Sequence, residues 1–168
     1  MPHPLVLQLR FTRSEFRRAL EGVSEAEAQH RFMPMNCISW IVGHLAWQEQ
    51  LYWLTRAHQQ VIAPQINELA AFGKPASTPP LGEMWQAWEM VTRAADGWLD
   101  TLTTDLLTTQ LPYDERPQPE STGTMLRRMT YHYWYHIGES QAIRQLLGHT
   151  DLPTFVGAIG REAPYIPE

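Results

Sequence analysis

Apolar residues recur at helical spacing in four long stretches of the chain, and proline and glycine mark the connections between them. In the first stretch Leu5, Leu9, Phe16 and Leu20 form a stripe with Thr12 as its one polar member. Phe11 lies off that line, and Gly22 is placed to cap the end. Arg10, Arg17 and Arg18 lie away from the stripe and Arg13 borders it. With Glu15 and Glu21 interrupting them, these charges read as a solvated helix face. Ser24-Glu25-Ala26-Glu27 then predicts a short capped turn, Ser24 as N-cap and Glu27 at the capping-box position.

The second stretch, residues 38–58, carries Ile41, His44, Trp47 or Gln48, and Leu51 on one side and contains no proline. Residues 59–80 lose the period at Pro64, Gly73, Pro75, Pro79 and Pro80. Helix neighbours in bundles usually need about 2–8 linking residues, so this span predicts a long crossover, with the second and third helices running parallel. The third stretch, 81–102, places Leu81, Trp85, Trp88, Val91 or Thr92, Ala95, Leu99 and Leu102 on its stripe, and a short turn opens at Thr104 or Asp105. Residues 113–123 read as loop. The fourth helix, 124–147, ends at Gly148. A tail, 149–168, is expected to pack over the bundle through Phe155, Val156, Ile159 and Tyr165. No stretch alternates as a strand should, and there is no internal repeat. The pattern predicts an all-α four-helix bundle, one domain over residues 1–168.

Composition narrows the function. Apolar residues make up 43% of the 168 and charged residues 18%, enough hydrophobe for a core. A chain of this length buries roughly 70% of its unfolded surface, so a metal, if one is bound, is not needed merely to hold the fold. The net charge of −5 argues against a nucleic-acid partner, which calls for a basic face. One cysteine, Cys37, excludes an internal disulfide framework and fits a reducing compartment. The first ten residues lack the apolar run of a signal peptide, and nothing approaches the ~18 apolar residues of a membrane span. These features point to a soluble, cytoplasmic, single-domain protein.

The chemistry concentrates in Met129-Thr130-Tyr131-His132-Tyr133-Trp134-Tyr135-His136-Ile137-Gly138-Glu139-Ser140. His132 and His136 lie four apart, one helical turn, and at that spacing two imidazoles can reach one metal ion. The stripe of Met125, Met129, Ile143 and Leu147 continues through His132, His136 and Glu139, so both histidines are expected to point inward. Two readings of the pair stand: a metal site, or a hydrogen-bonded pair in the core or at the surface. His44, on the inward stripe of the second helix beside Gly43, shifts the balance, because three protein ligands with an open fourth position are the recurring composition of a catalytic zinc site. Glu139 reads as a carboxylate that orients a ligand or takes a proton, or as a buried carboxylate satisfied by a neighbouring arginine or by backbone. Gln48, four after His44, either reaches substrate or packs at the core edge. Cys37 is too far from His44 for easy co-ligation and reads as a small buried hydrophobe. Trp40, Trp47, Trp88, Tyr131, Trp134 and Tyr135 are core residues or a pocket lining; His3, His30, His58 and His149 are expected at the surface.

Trp40-Ile41-Val42-Gly43-His44-Leu45-Ala46, taken with His132-x-x-x-His136-x-Gly138-Glu139 and the closing Ile143-Arg144-Gln145-Leu146-Leu147-Gly148, resembles the DinB-like (DinB/YfiT-like) superfamily of bacterial metalloproteins. The likeness extends to the Ser24 turn and to Leu152-Pro153-Thr154-Phe155-Val156-Gly157. It implies an up-down-down-up bundle with the long crossover between helices two and three. It also implies a divalent metal ion, commonly nickel or zinc, on three histidines that match His44, His132 and His136. Family members of known activity are mostly thiol-dependent S-transferases or isomerases using low-molecular-weight thiols. The resemblance thus implies a thiol-dependent S-transferase acting on a small electrophile, with a homodimer plausible. The alternatives are a metal-dependent hydrolase and a non-catalytic metal- or small-molecule-binding bundle.

Overall fold

Pro4, with its pre-set φ, opens the first helix, and His3 caps it by accepting the Leu5 N–H at Nδ1 (3.1 Å). The computed structural model describes residues 2–113 and 116–167. In chain order the elements are α1 (Pro4–Ala19), α2 (Glu25–Gln29), α3 (Ile38–Glu49), α4 (Gln65–Leu69), α5 (Leu81–Leu99), α6 (Thr104–Leu107), strands β1 (Gln110–Tyr113) and β2 (Arg116–Ser121), α7 (Thr122–Leu146) and α8 (Ile159–Glu162). The capping box at Ser24 and Glu27 forms as the sequence predicts.

Four long helices make an all-α bundle. α1 lies against α7, and α3 lies against both α5 and α7. The side-chain register gives their directions. Phe11 meets Trp134, and the Ala19 carbonyl accepts from Gln141 (3.0 Å) and Arg144 (2.5 Å), so α1 and α7 run the same way. Gly43 packs on Met84 and Trp53 stacks on Trp98, so α3 and α5 also run together. Arg10 reaches Asp96 and Asp100 while Arg17 reaches Glu89, which sets α1 against α5.

Several sequence expectations are corrected. α3 does not continue as an ordinary α-helix: Gln50–Arg56 is π-helical. At its first residue the Gln50 side-chain oxygen accepts the Ile62 and Ala63 N–H groups at the start of the crossover (3.0 and 2.8 Å). The crossover contains α4, and α5 stops at Leu99, although Leu102 is still buried. Within 113–123, expected as loop, β2 pairs antiparallel with β1; strands of four and six residues interrupted by prolines show no alternation to read. Phe11 is buried as well, because α1 meets α7 on one flank while its arginines reach α5 on the other.

The supposed solvated face of α1 is the largest correction. Arg13 and Glu15 are buried, and Arg13 donates to both oxygens of Glu49 (2.7 and 2.5 Å), a residue with 0% exposure. Glu15 is held by Arg18 and by the Gly157 N–H (2.8 Å), which ties the tail to α1. Only Phe155 of the four apolar residues named for the tail packs against the core; Val156, Ile159 and Tyr165 (91%) are exposed, because polar contacts and the buried Ala163 do the anchoring. His3 is buried and His149 half-buried between Glu27 and Arg144, while His30 and His58 are exposed as expected. Among the described residues no helix is long and apolar enough to cross a membrane.

Candidate metal centre

Helix α3 carries His44 into the bundle beside a closely packed glycine. A Cβ at Gly43 would sit 2.5 Å from the Met84 sulfur and 3.0 Å from the Ala70 Cβ, so the glycine lets α5 and the end of α4 close on this turn. The His44 ring is sandwiched between Trp40 (centroids 4.5 Å apart, planes 12°) and Trp47 (5.4 Å). Its Nδ1 lies 2.9 Å from the Ala70 carbonyl oxygen. A carbonyl can only accept, so Nδ1 carries the proton and Nε2 presents a lone pair.

Helix α7 supplies the other two rings. His136 is buried, and its Nδ1 lies 2.7 Å from Glu139 Oε2, one turn further on. His132 is half-buried; its Nε2 approaches the His136 Nε2 at 2.9 Å, and its Nδ1 has no hydrogen-bond partner among the described residues. The His44 ring centroid is 5.1 Å from that of His132 and 5.4 Å from that of His136. One nitrogen from each of the three lies within 4.8 Å of the others, close enough for all three to hold one metal ion.

Burial pushes the His44 imidazole down to about 4, reinforced by nearby His136 and opposed by the Ala70 hydrogen bond. Burial likewise pushes His132 down to about 3, with His136, His44 and Arg128 adding to it. Both rings are therefore neutral bases at pH 7, the form in which imidazole binds a metal.

Behind the histidines lies a polar network that the sequence reading missed. Trp88 donates to the Tyr133 hydroxyl (2.7 Å), Tyr133 donates to Glu49 (2.9 Å), and Arg13 bridges Glu49 to Asp96 (2.8 Å). Burial and the adjacent Glu49 hold the Tyr133 phenol well above its usual range. Burial opposes the Arg13 charge, but Glu49 more than offsets this and keeps the guanidinium protonated. The network touches α1, α3, α5 and α7, and Tyr133 sits next to His132 in the chain. A faint signal existed: Glu49 is the only charged residue between positions 38 and 54.

In front of the histidines opens a cleft of about 1090 Å³, with His44 and His132 in its wall. Gln48, Trp47 and Tyr131 line it, as do Tyr52 and Arg56 from the π-helical stretch. The Gln48 amide donates to the Tyr52 hydroxyl (3.0 Å). Glu139 faces His136 rather than this lining, Trp88 and Trp134 are core-side aromatics, and Tyr135 is exposed beside His136. Cys37 is fully buried, its sulfur near the Ser39 hydroxyl (3.2 Å), away from the histidine cluster.

Residues 8–140 match the profile of the DinB superfamily, a span that includes all three histidines. No curated protein matches the chain.

Proposed function

The chain belongs to the DinB superfamily, and from that premise we propose that His44, His132 and His136 hold a divalent ion, zinc or nickel, in a thiol-dependent S-transferase acting on a small electrophile. The observation that carries this reading is the commitment of the outer nitrogens. His44 gives its Nδ1 proton to a backbone carbonyl and the His136 Nδ1 meets a carboxylate, the outer partners characteristic of metal-ligating imidazoles. The Nε2 atoms then converge, and the 2.9 Å approach of two of them is a contact that a shared cation relieves. The donor set therefore fits the ion: neutral nitrogen ligands suit zinc and nickel alike.

When bound, a divalent ion on neutral ligands keeps its full charge and lowers the pKa of a thiol or water toward neutrality. The chain's own residues do the rest. Glu139 is a positioning residue that holds the His136 ring in one orientation through its hydrogen bond. Trp40 and Trp47 clamp the His44 ring and keep solvent off its faces. Gln48, held by Tyr52, offers its amide to a polar group of the substrate in the cleft. The cosubstrate in this reading is a low-molecular-weight thiol entering by the cleft.

The test is calorimetric titration of a small thiol, β-mercaptoethanol, into zinc-loaded and metal-free protein. The reading expects binding with proton release to the loaded form only, abolished in His132→Ala. Equal thiol affinity with and without zinc would contradict it and leave a metal-binding bundle without thiol chemistry.

A further inference from the structure

The cleft in front of the three histidines has a charge that the rest of the chain does not. The protein carries 18 acidic against 13 basic residues, yet among the described residues the ionised side chains lining this cleft are Arg56, Arg127 and Arg128 against the carboxylate of Glu120. Among the described lining residues guanidiniums outnumber carboxylates, in a chain whose overall balance is −5. Glu120, from β2, grips Arg128 in a two-pronged pair. That leaves Arg127 with no ion pair or hydrogen bond among the described residues, its charge uncompensated on the cleft wall.

The geometry along α7 sets a distance. Thr124, Arg127, Arg128, Tyr131 and His132 all line the cleft, at the spacing of one helix face. At a rise of about 1.5 Å per residue, the two arginines lie about 6–8 Å along the axis from His132. On the facing wall Gln48, Tyr52 and Arg56 continue away from His44, and the Arg56 guanidinium covers the Tyr52 ring at 5.0 Å. Since α3 and α7 run in opposite directions, with His44 beside His136 and Glu49 beside Tyr133, Arg56 lies toward the same end as Thr124 and Arg128. One end of the cleft therefore carries the imidazoles and the other the guanidiniums, with Tyr131, Tyr52 and Leu51 between.

Resting on the histidine site proposed above, we infer that the ligand entering this cleft is an elongated small molecule with an oxyanion group at its far end, a carboxylate or a phosphate. Arg127 is the principal contact and Arg128 and Arg56 support it. A guanidinium fork matches either group with paired charge-assisted hydrogen bonds. The arginines set specificity and take no part in bond making.

Two probes of equal length separate charge from chain: terminal-thiol mercaptohexanoate and its neutral counterpart mercaptohexanol. Each is titrated calorimetrically into zinc-loaded and metal-free protein, and mercaptohexyl phosphate is added to decide between carboxylate and phosphate. Wild type is expected to prefer an anionic probe over the alcohol by roughly tenfold or more, the worth of a hydrogen bond to a charged group. In Arg127→Gln/Arg128→Gln, two exposed positions whose replacement leaves the helix intact, the preference falls to within about twofold. Equal affinities for the three probes in wild type overturn the inference, and so does a preference that survives in the double variant. An anion preference lost in the double variant, in protein that takes up no zinc, upholds this inference and overturns the histidine reading instead.

Discussion

At the residue scale the site is a problem of protons. His44 and His132 are held neutral by burial, at about 4 and about 3, whereas an imidazole in the unfolded chain titrates near 6.5. As the pH falls below that value the unfolded chain takes up protons that the folded metal-free protein refuses, so folding loses free energy until the folded values are reached. Carboxylates held low by partners, Glu15 and Glu120 among them, begin to matter only nearer their own unfolded value of about 4.3. The window between about pH 6.5 and pH 5 thus belongs to histidine. Metal-free protein is expected to show a thermal midpoint that is flat above pH 7 and falls through this window, a fall reduced in His132→Asn. A midpoint unchanged from pH 7 to pH 5 would contradict the burial argument.

At the element scale the four helices are registered by one buried charge cluster. Arg13 from α1, Glu49 from α3, Asp96 and Trp88 from α5, and Tyr133 from α7 meet through hydrogen bonds of 2.5–2.9 Å. Removing one partner strands the other charge in the core, so Glu49→Ala is expected to cost about 3–5 kcal/mol in urea unfolding. Replacing both partners by apolar residues, Arg13→Met with Glu49→Leu, should recover most of that loss, because the pair's burial cost disappears with it. A single variant within about 1 kcal/mol of wild type would show that water reaches the cluster.

The same cluster shows what a sequence can and cannot disclose. The long helices and the inward histidines are legible because period 3.6 is a local property, and the pairing of His132 with His136 lies within one helix. Gly43 beside His44 was a readable sign of close packing. Arg13 borders the apolar stripe and reads with its neighbours as a solvated face, because its partner lies 36 residues away on another helix. No spacing rule reveals the Ala70 carbonyl that orients His44, because a backbone acceptor has no sequence signature. The π-helical stretch stays hidden for a related reason, since the Gln50 amide finds its partners in a distant connection, while the hairpin's short, proline-interrupted strands show no alternation.

At the scale of the whole molecule, two kinds of polar interior sit back to back on α7. One side of that helix, through Tyr133, is locked into the charge cluster, and the other carries His132 in the cleft wall with the buried His136 behind it. Locking the first fixes the aim of the second, so the histidines meet at a site held in advance by the bundle rather than assembled on binding. The tail is tied to Glu15 and Arg18 of α1 and packs Phe155 against Trp134 of α7. The most direct test of the account is the metal content of untagged protein purified without chelator, read by elemental mass spectrometry for wild type, His44→Ala and His132→Ala. The account predicts close to one equivalent of zinc or nickel in wild type and its loss in both variants, with helical circular dichroism retained. Metal kept in either variant, or a wild type that takes up neither ion on reconstitution, would contradict it.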